Sequence, residues 1–397
     1  MKEFTSVPYL SLQGPGLRDS PPVLLLRPLA ARDPHAGHIA QNNLRGDEEP
    51  FVSQATSRVL FWIPAFHHEG KERHSANSRP PGGSEWVEPV CHMAGKPPTV
   101  AAKGEQTKMA QRPKTFEFEG ITMSRYFTDN WDKVKNFKAR PDDVVVATYP
   151  KAGTTWMSEI VDQLYFGGMQ KDGSTPPVYE RVPFLEFYNE TFKGTDLIES
   201  LQTSPRLIKT HLPVQLVPQS FWEQNCRIIY IARNPKDTMV SFYHFDRMNL
   251  VQPEPGPWEE YIHKFNNGQL VFGSWYDHVQ GWWDKSKSYS KIHYVFFEDM
   301  KEDPARELSR LCSFLALSPS ETHKQSVLGK TRFDKMKKST AAHFSQIPAF
   351  DESVSPFMRK GMVGDWKNHF TVAQNEAFDE EYRRRMKNSD LRFRMEI

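Results

Sequence analysis

The run Asp143-Val-Val-Val-Ala-Thr-Tyr149 has no polar face to turn toward water. A β-branched run of this kind marks a strand covered on both sides, the signature of a parallel sheet sandwiched between helices. A turn at Pro150-Lys-Ala-Gly153 follows, and then Trp156–Tyr165 places apolar residues at helical spacing. The same alternation recurs downstream. Arg206–His211, Cys226–Arg233 and Lys291–Phe297 read as further strands. Asn234 caps a helix with Pro235 in its first turn, and Asp303-Pro304 opens another through Leu308, Leu311 and Leu315. Repeated strand–helix units predict an α/β chain with a three-layer α/β/α arrangement and a mostly parallel central sheet.

The chain of 397 residues divides near residue 114, because 14 of its 30 prolines fall before that point. Residues 1–114 mix Pro, Gly, Ser, Arg and His with no strand or helix period. They are expected to form a disordered extension, since such a sequence buries too little surface to offset chain entropy. Residues 115–397 are expected to form the working domain. Val59–Phe66 is an isolated apolar patch in the extension, and Met109 stands just ahead of the organised sequence. A formal charge of +2 argues against nucleic-acid binding through bulk charge. Cys91, Cys226 and Cys312 are odd in number and widely spaced, which suits a reducing compartment and offers no metal-ligand pattern. No apolar run approaches the length of a membrane span. The expectation is a cytoplasmic protein without metal.

In a sheet of this kind, ligands sit beyond the carboxyl ends of the strands. Lys151 to Thr155 follow the first strand, Lys209 and His211 end the second, and Arg233 ends the third. Gly153 lets the backbone approach an anion, Thr154 and Thr155 supply hydroxyls, and the next helix offers unpaired amides. Lys151 adds a cation. The loop is P-loop-like without being a Walker A sequence, because its lysine precedes a single glycine.

Tyr149-Pro-Lys-Ala-Gly-Thr-Thr-Trp156 resembles the 5′-phosphosulfate loop of the cytosolic sulfotransferases, which use 3′-phosphoadenosine 5′-phosphosulfate (PAPS). The resemblance spans about Phe116 to Ile397 and recurs in four more ordered segments: 208–213, 231–237 with Ser241, 330–336 and 357–361. It implies His211 as catalytic base, with Lys151 and Lys209 neutralising the transferring group and Ser241 restraining the loop lysine. It assigns the donor to Lys151, Ala152, Gly153, Thr154, Thr155, Trp156, Arg233, Ser241, Phe297, Thr331, Arg332, Phe333, Met336, Phe357, Met358, Arg359, Lys360 and Gly361. Within that set, Trp156 and Phe333 would sandwich adenine, while Arg233, Ser241, Arg359 and Lys360 would hold the 3′-phosphate. The acceptor would meet Lys209, Thr210, His211, Phe127 and Phe245, in an aromatic-lined cavity suited to phenols, steroids or amines.

Two positions depart from the family pattern. Phe297 stands where a tyrosine is usual, removing a hydroxyl from the adenine end, and Ala152 stands where serine is commoner, leaving its backbone amide as the contact. Lys367, Thr371, Val372 and Glu376 match the family's dimerisation segment, implying a homodimer. Two other functions suit an anion loop on this fold. A P-loop nucleotide kinase would need a Gly-Lys-Ser/Thr loop and a metal-holding aspartate, and a non-catalytic nucleotide-binding protein would need no base at His211.

Overall fold

Strands β1 (Phe116–Phe118) and β2 (Ile121–Met123) form an antiparallel hairpin ahead of the main sheet. The main sheet comprises β3 (Val144–Thr148), β4 (Leu207–Thr210), β5 (Arg227–Ala232) and β6 (Ile292–Phe296). Its four strands run parallel in the order β4-β3-β5-β6. This computed structural model describes residues 111–167, 175–342, 347 and 349–397. The expectations for residues 1–110, including Val59–Phe66, Cys91 and Met109, lie outside the described residues.

The pleat divides the buried side chains between two layers. Val145, Ala147, Ile208, Ile228 and Tyr230 face one side, where Met239, Phe242, Tyr261, Phe265, Trp275 and Trp282 pack over them. Val144, Val146, Leu207, Ile229, Ile231 and Val295 face the other, against Met157, Ile160, Leu164, Leu308 and Leu311. Every residue of β3 is buried, as the lack of a polar face required. Each of its three valines contributes about 1.5–3 kcal/mol by leaving water. The three-layer α/β/α expectation holds.

Each strand is shorter than the sequence run by one residue at each end, and the omitted residues explain themselves. At the amino ends, Asp143 and Arg206 leave the ladder to form a fully buried bidentate pair, with bonds of 2.8 and 2.6 Å. At the carboxyl ends, Tyr149, His211, Arg233 and Phe297 turn out of the sheet. Asn234 caps the helix Pro235–Met248 by accepting from the Asp237 amide, and Asp303 likewise caps Pro304–Leu315. The hairpin and the helices Trp258–Asn266 and Trp275–Ser288 were not expected from the sequence. Cys226 and Cys312 are both buried and free.

Candidate active site

The helix Thr154–Phe166 starts without a side-chain cap, whereas Asn234, Ser274, Asp303, Ser320 and Thr371 cap five others. Its first amides therefore lack partners where Gly153, Thr154 and Thr155 line a cavity of about 290 Å³. A ligand anion would supply that missing cap. The loop is strained to fit: Lys151 has φ 69° and Gly153 φ 114°. Left-handed backbone is costly for a lysine and marks a position the surroundings enforce. A side chain at Gly153 would also press on Phe297, 3.0 Å away.

His211 stands at the end of β4 with its ring held from one side. Nδ1 lies 2.8 Å from the Thr148 carbonyl, and a carbonyl only accepts, so Nδ1 carries the proton. Nε2 is then the basic nitrogen of a ring that lines the cavity. The Thr148 hydroxyl, 3.0 Å from Nδ1, is itself tied to Thr154 at 2.7 Å, linking the histidine to the loop. The backbone around His211 is clamped as well. Its amide donates to Glu186 Oε1 at 2.6 Å, and its carbonyl accepts from His278 Nε2 at 3.0 Å. Burial holds the imidazole neutral, pushing its pKa down to about 3, with the Lys209 and Lys151 charges acting in the same direction.

Six cationic side chains line the cavity: Lys151, Lys209, Arg233, Lys301, Arg359 and Lys360. Burial lowers Lys151 to about 7, with Arg233, Arg359 and Lys209 adding repulsion against the pull of Asp246. Burial lowers Lys209 to about 8, against the pull of Glu186. Lys151 Nζ rests 4.0 Å from the Phe245 ring centre and 4.5 Å from that of Phe357. Ser241 lines the same cavity, yet among the described residues no hydrogen bond joins it to Lys151. Arg233 spans the Lys151 and Met362 carbonyls and stacks its guanidinium 4.5 Å over Phe297. Arg359 and Lys360 both contact Asp365, each at 2.6 Å. Nε of Arg233 and Nε of Arg359 are buried without partners, a donor set that suits a multivalent anion.

Beyond the cations, Trp156 meets Phe297 edge-to-face at 5.5 Å, and Phe333, Thr331 and Met336 complete this end of the cavity. Phe357 and Met358 line it as well. Gly361 is required here twice over. Its φ is 59°, and a Cβ would fall 2.3 Å from the Phe333 ring. The opposite end is aromatic. Phe184 and Phe272 stand 4.9 and 5.4 Å from the His211 ring, and Phe127 packs on Phe272 at 4.7 Å.

Three of the predicted residues do not line this cavity. The Thr210 side chain points away from the cavity, donating to Glu186 Oε2 at 2.9 Å, because alternate strand residues face opposite sides. The Ala152 amide is spent inside the turn on the Tyr149 carbonyl at 3.3 Å, and its methyl is buried. Arg332 lies off the cavity at the surface, paired with Asp334 at 2.9 Å. The remaining predicted site residues converge on one cavity. Sequence reasoning missed several that shape it. Glu298 accepts from the Asn234 amide at 2.9 Å, and Asp237 accepts from the Gly364 and Trp366 amides at 2.8 and 3.0 Å. Glu298 thus ties the Arg233 turn to the segment after β6, and Asp237 ties the same helix start to the Gly364–Trp366 segment. Asn189, Asn249, Gln252 and Phe350 also line the cavity without carrying any motif.

Residues 141–390 match the model of the sulfotransferase domain family. The chain is 56% identical over 293 residues to cytosolic sulfotransferase 1 of Danio rerio, covering 73% of this chain and 98% of that protein. It is 45% identical over 291 residues to sulfotransferase 1C2 of Homo sapiens, again covering 73% and 98%. Among solved structures it resembles mouse sulfotransferase SULT7A1 complexed with PAP, at 31% identity and TM-score 0.58, covering 70% of this chain and 95% of that one. The chain belongs to the cytosolic sulfotransferase family and is an enzyme of that class.

Proposed function

We propose that this enzyme transfers a sulfuryl group from PAPS to the hydroxyl or amine of a small, aromatic or steroidal acceptor, with His211 as general base. The observation that carries the reading is the histidine geometry. With Nδ1–H fixed on the Thr148 carbonyl, Nε2 is left to take a proton in a cavity that Lys151 and Lys209 also line. His211 takes the acceptor's proton as the acceptor oxygen or nitrogen bonds to sulfur and the bond from sulfur to the 5′-phosphate oxygen breaks. Lys151 and Lys209 balance the charge that collects on the departing oxygen. A base lowered by burial and by neighbouring cations becomes stronger once an anion faces those cations, which suits protonation late in the step. The orphaned guanidinium nitrogens of Arg233 and Arg359, with Lys360, Ser241 and the Gly361 turn, suit the 3′-phosphate. Trp156 and Phe333 suit adenine, with Phe297 supplying ring contact and no hydroxyl.

The mouse structure's bound PAP supports the donor, and the relatives named cytosolic support a cytoplasmic location. We also propose that the working domain begins near residue 115, that no metal takes part, and that the chain pairs through Lys367, Thr371, Val372 and Glu376. The test is transfer of label from PAPS, without added metal, to a panel of phenols, steroids and amines. His211→Ala is expected to lower kcat by about 10²–10⁴ while PAP still binds. Equal turnover by the variant would remove the base from the mechanism, and phosphoryl transfer from ATP would favour a kinase instead.

A further inference from the structure

The segment that ends β4 is gripped from behind by the helix Trp275–Ser288. His278 and Trp282 stand four residues apart, so both project from one face of that helix. Their rings donate to successive backbone carbonyls: His278 Nε2–H to His211 at 3.0 Å, and Trp282 Nε1–H to Leu212 at 3.2 Å. Both side chains are fully buried, and neither lines the cavity. The His278 ring is fixed on its other side too. The hydroxyl of Tyr230, on β5, lies 2.8 Å from Nδ1, and Tyr149 meets the ring edge-to-face at 5.4 Å. A carbonyl only accepts, so His278 carries its proton on Nε2 and accepts the Tyr230 hydroxyl at Nδ1. Burial keeps the ring neutral, lowering its pKa to about 4. Filling the core here would need only a ring of this size, whereas holding the His211 carbonyl needs an N–H. Without that donor the carbonyl would be left facing the core unpaired, a costly state that turning the 211–212 peptide would relieve. Such a turn would carry the His211 ring off the Thr148 carbonyl.

Resting on the reading of His211 as the base, we propose that His278 is a positioning residue for it. By holding the His211 carbonyl, with its own tautomer set by Tyr230, His278 keeps the His211 Nδ1–H on the Thr148 carbonyl and Nε2 turned to the acceptor. A reacting group has to be held within a fraction of an ångström by neighbours that are themselves locked, and His278 is locked at both ring nitrogens.

The experiment compares His278→Phe, which keeps an aromatic ring, with His278→Gln, which keeps an N–H donor, in the full chain. Nitrogen-15 NMR of labelled histidine, with PAP bound, reads the His211 tautomer, and label transfer from PAPS gives kcat and KM. Wild type is expected to show His211 protonated at Nδ1 alone. His278→Phe should show both tautomers and lose about 10–100-fold in kcat, the cost of a displacement of roughly 1 Å, with PAP affinity held within about twofold. His278→Gln should restore the single tautomer and most of kcat. Placed on His211→Ala, His278→Phe should lower the residual rate no further, because it acts through a ring that is gone. Unchanged His211 signals in His278→Phe, or an equal further loss on His211→Ala, would overturn the proposal. Should His278→Phe not fold, Tyr230→Phe carries the same tautomer prediction, since it releases Nδ1 and with it the Nε2–H form. The tautomer judges His278 even without turnover, whereas full activity in His211→Ala would count against the base reading alone.

Discussion

Lys151 carries the clearest consequence at the scale of one residue. Burial lowers its pKa to about 7, so in the free enzyme the ammonium is present below that pH and is lost above it. An anionic donor requires the cation, so donor binding at pH 8 is expected to take up protons, measurable by calorimetry in buffers of different ionisation enthalpy. For the same reason kcat/KM should fall as pH rises past about 7–8, the range set by Lys151 and Lys209. Lys151→Arg, which stays protonated, should move that alkaline limb upward while lowering the maximum. An unmoved limb would assign it to another group. Gly361 gives a steric prediction: Gly361→Ala puts a methyl group into the Phe333 ring and should weaken PAP binding by tenfold or more in a titration.

The strand ends are the decisive elements. At the amino end of the sheet, Arg206 and Asp143 satisfy each other in full burial, which fixes β3 beside β4. Asp143→Ala should destabilise the fold by about 3–5 kcal/mol in urea unfolding, because it strands a buried guanidinium. At the carboxyl end, each strand stops one residue early, and Tyr149, His211 and Arg233 leave the ladder. The sequence showed where these strands lie and which residues end them. It did not show that Glu186 would reach across to clamp both Thr210 and the His211 amide. That contact joins segments whose separation has no periodic signature. Thr210 was misplaced for a related reason, since its own position in the pleat sends it to the carboxylate while its neighbour Lys209 faces the cavity.

For the whole molecule, the proposed pairing through the segment around Thr371 can be tested against its local structure. Thr371 and Gln374 form a reciprocal capping box, and Val372 is 75% exposed at the start of the last helix. Lys367 pairs within the chain with Glu396 at 2.7 Å, both half-exposed, so a two-fold pairing with Glu376 of a second copy would exchange one weak ion pair for another. The apolar Val372 would then supply most of the gain. Val372→Glu should reduce the mass measured by light scattering from that of two chains to that of one. An unchanged mass would place any association elsewhere.

Local chemistry determined much of this protein. Three consecutive valines with no polar face dictated a buried parallel strand, and lysine, glycine and two threonines before a helix dictated an anion loop. The order of such units then set the α/β class. Only the tertiary structure decided which polar groups the site would use. It spent the Ala152 amide within the turn, sent Arg332 to Asp334 at the surface, and left the nitrogens of Arg233 and Arg359 unpaired around one cavity. Whether a buried polar group is satisfied depends on atoms brought together from distant parts of the chain, and neither spacing nor composition records that.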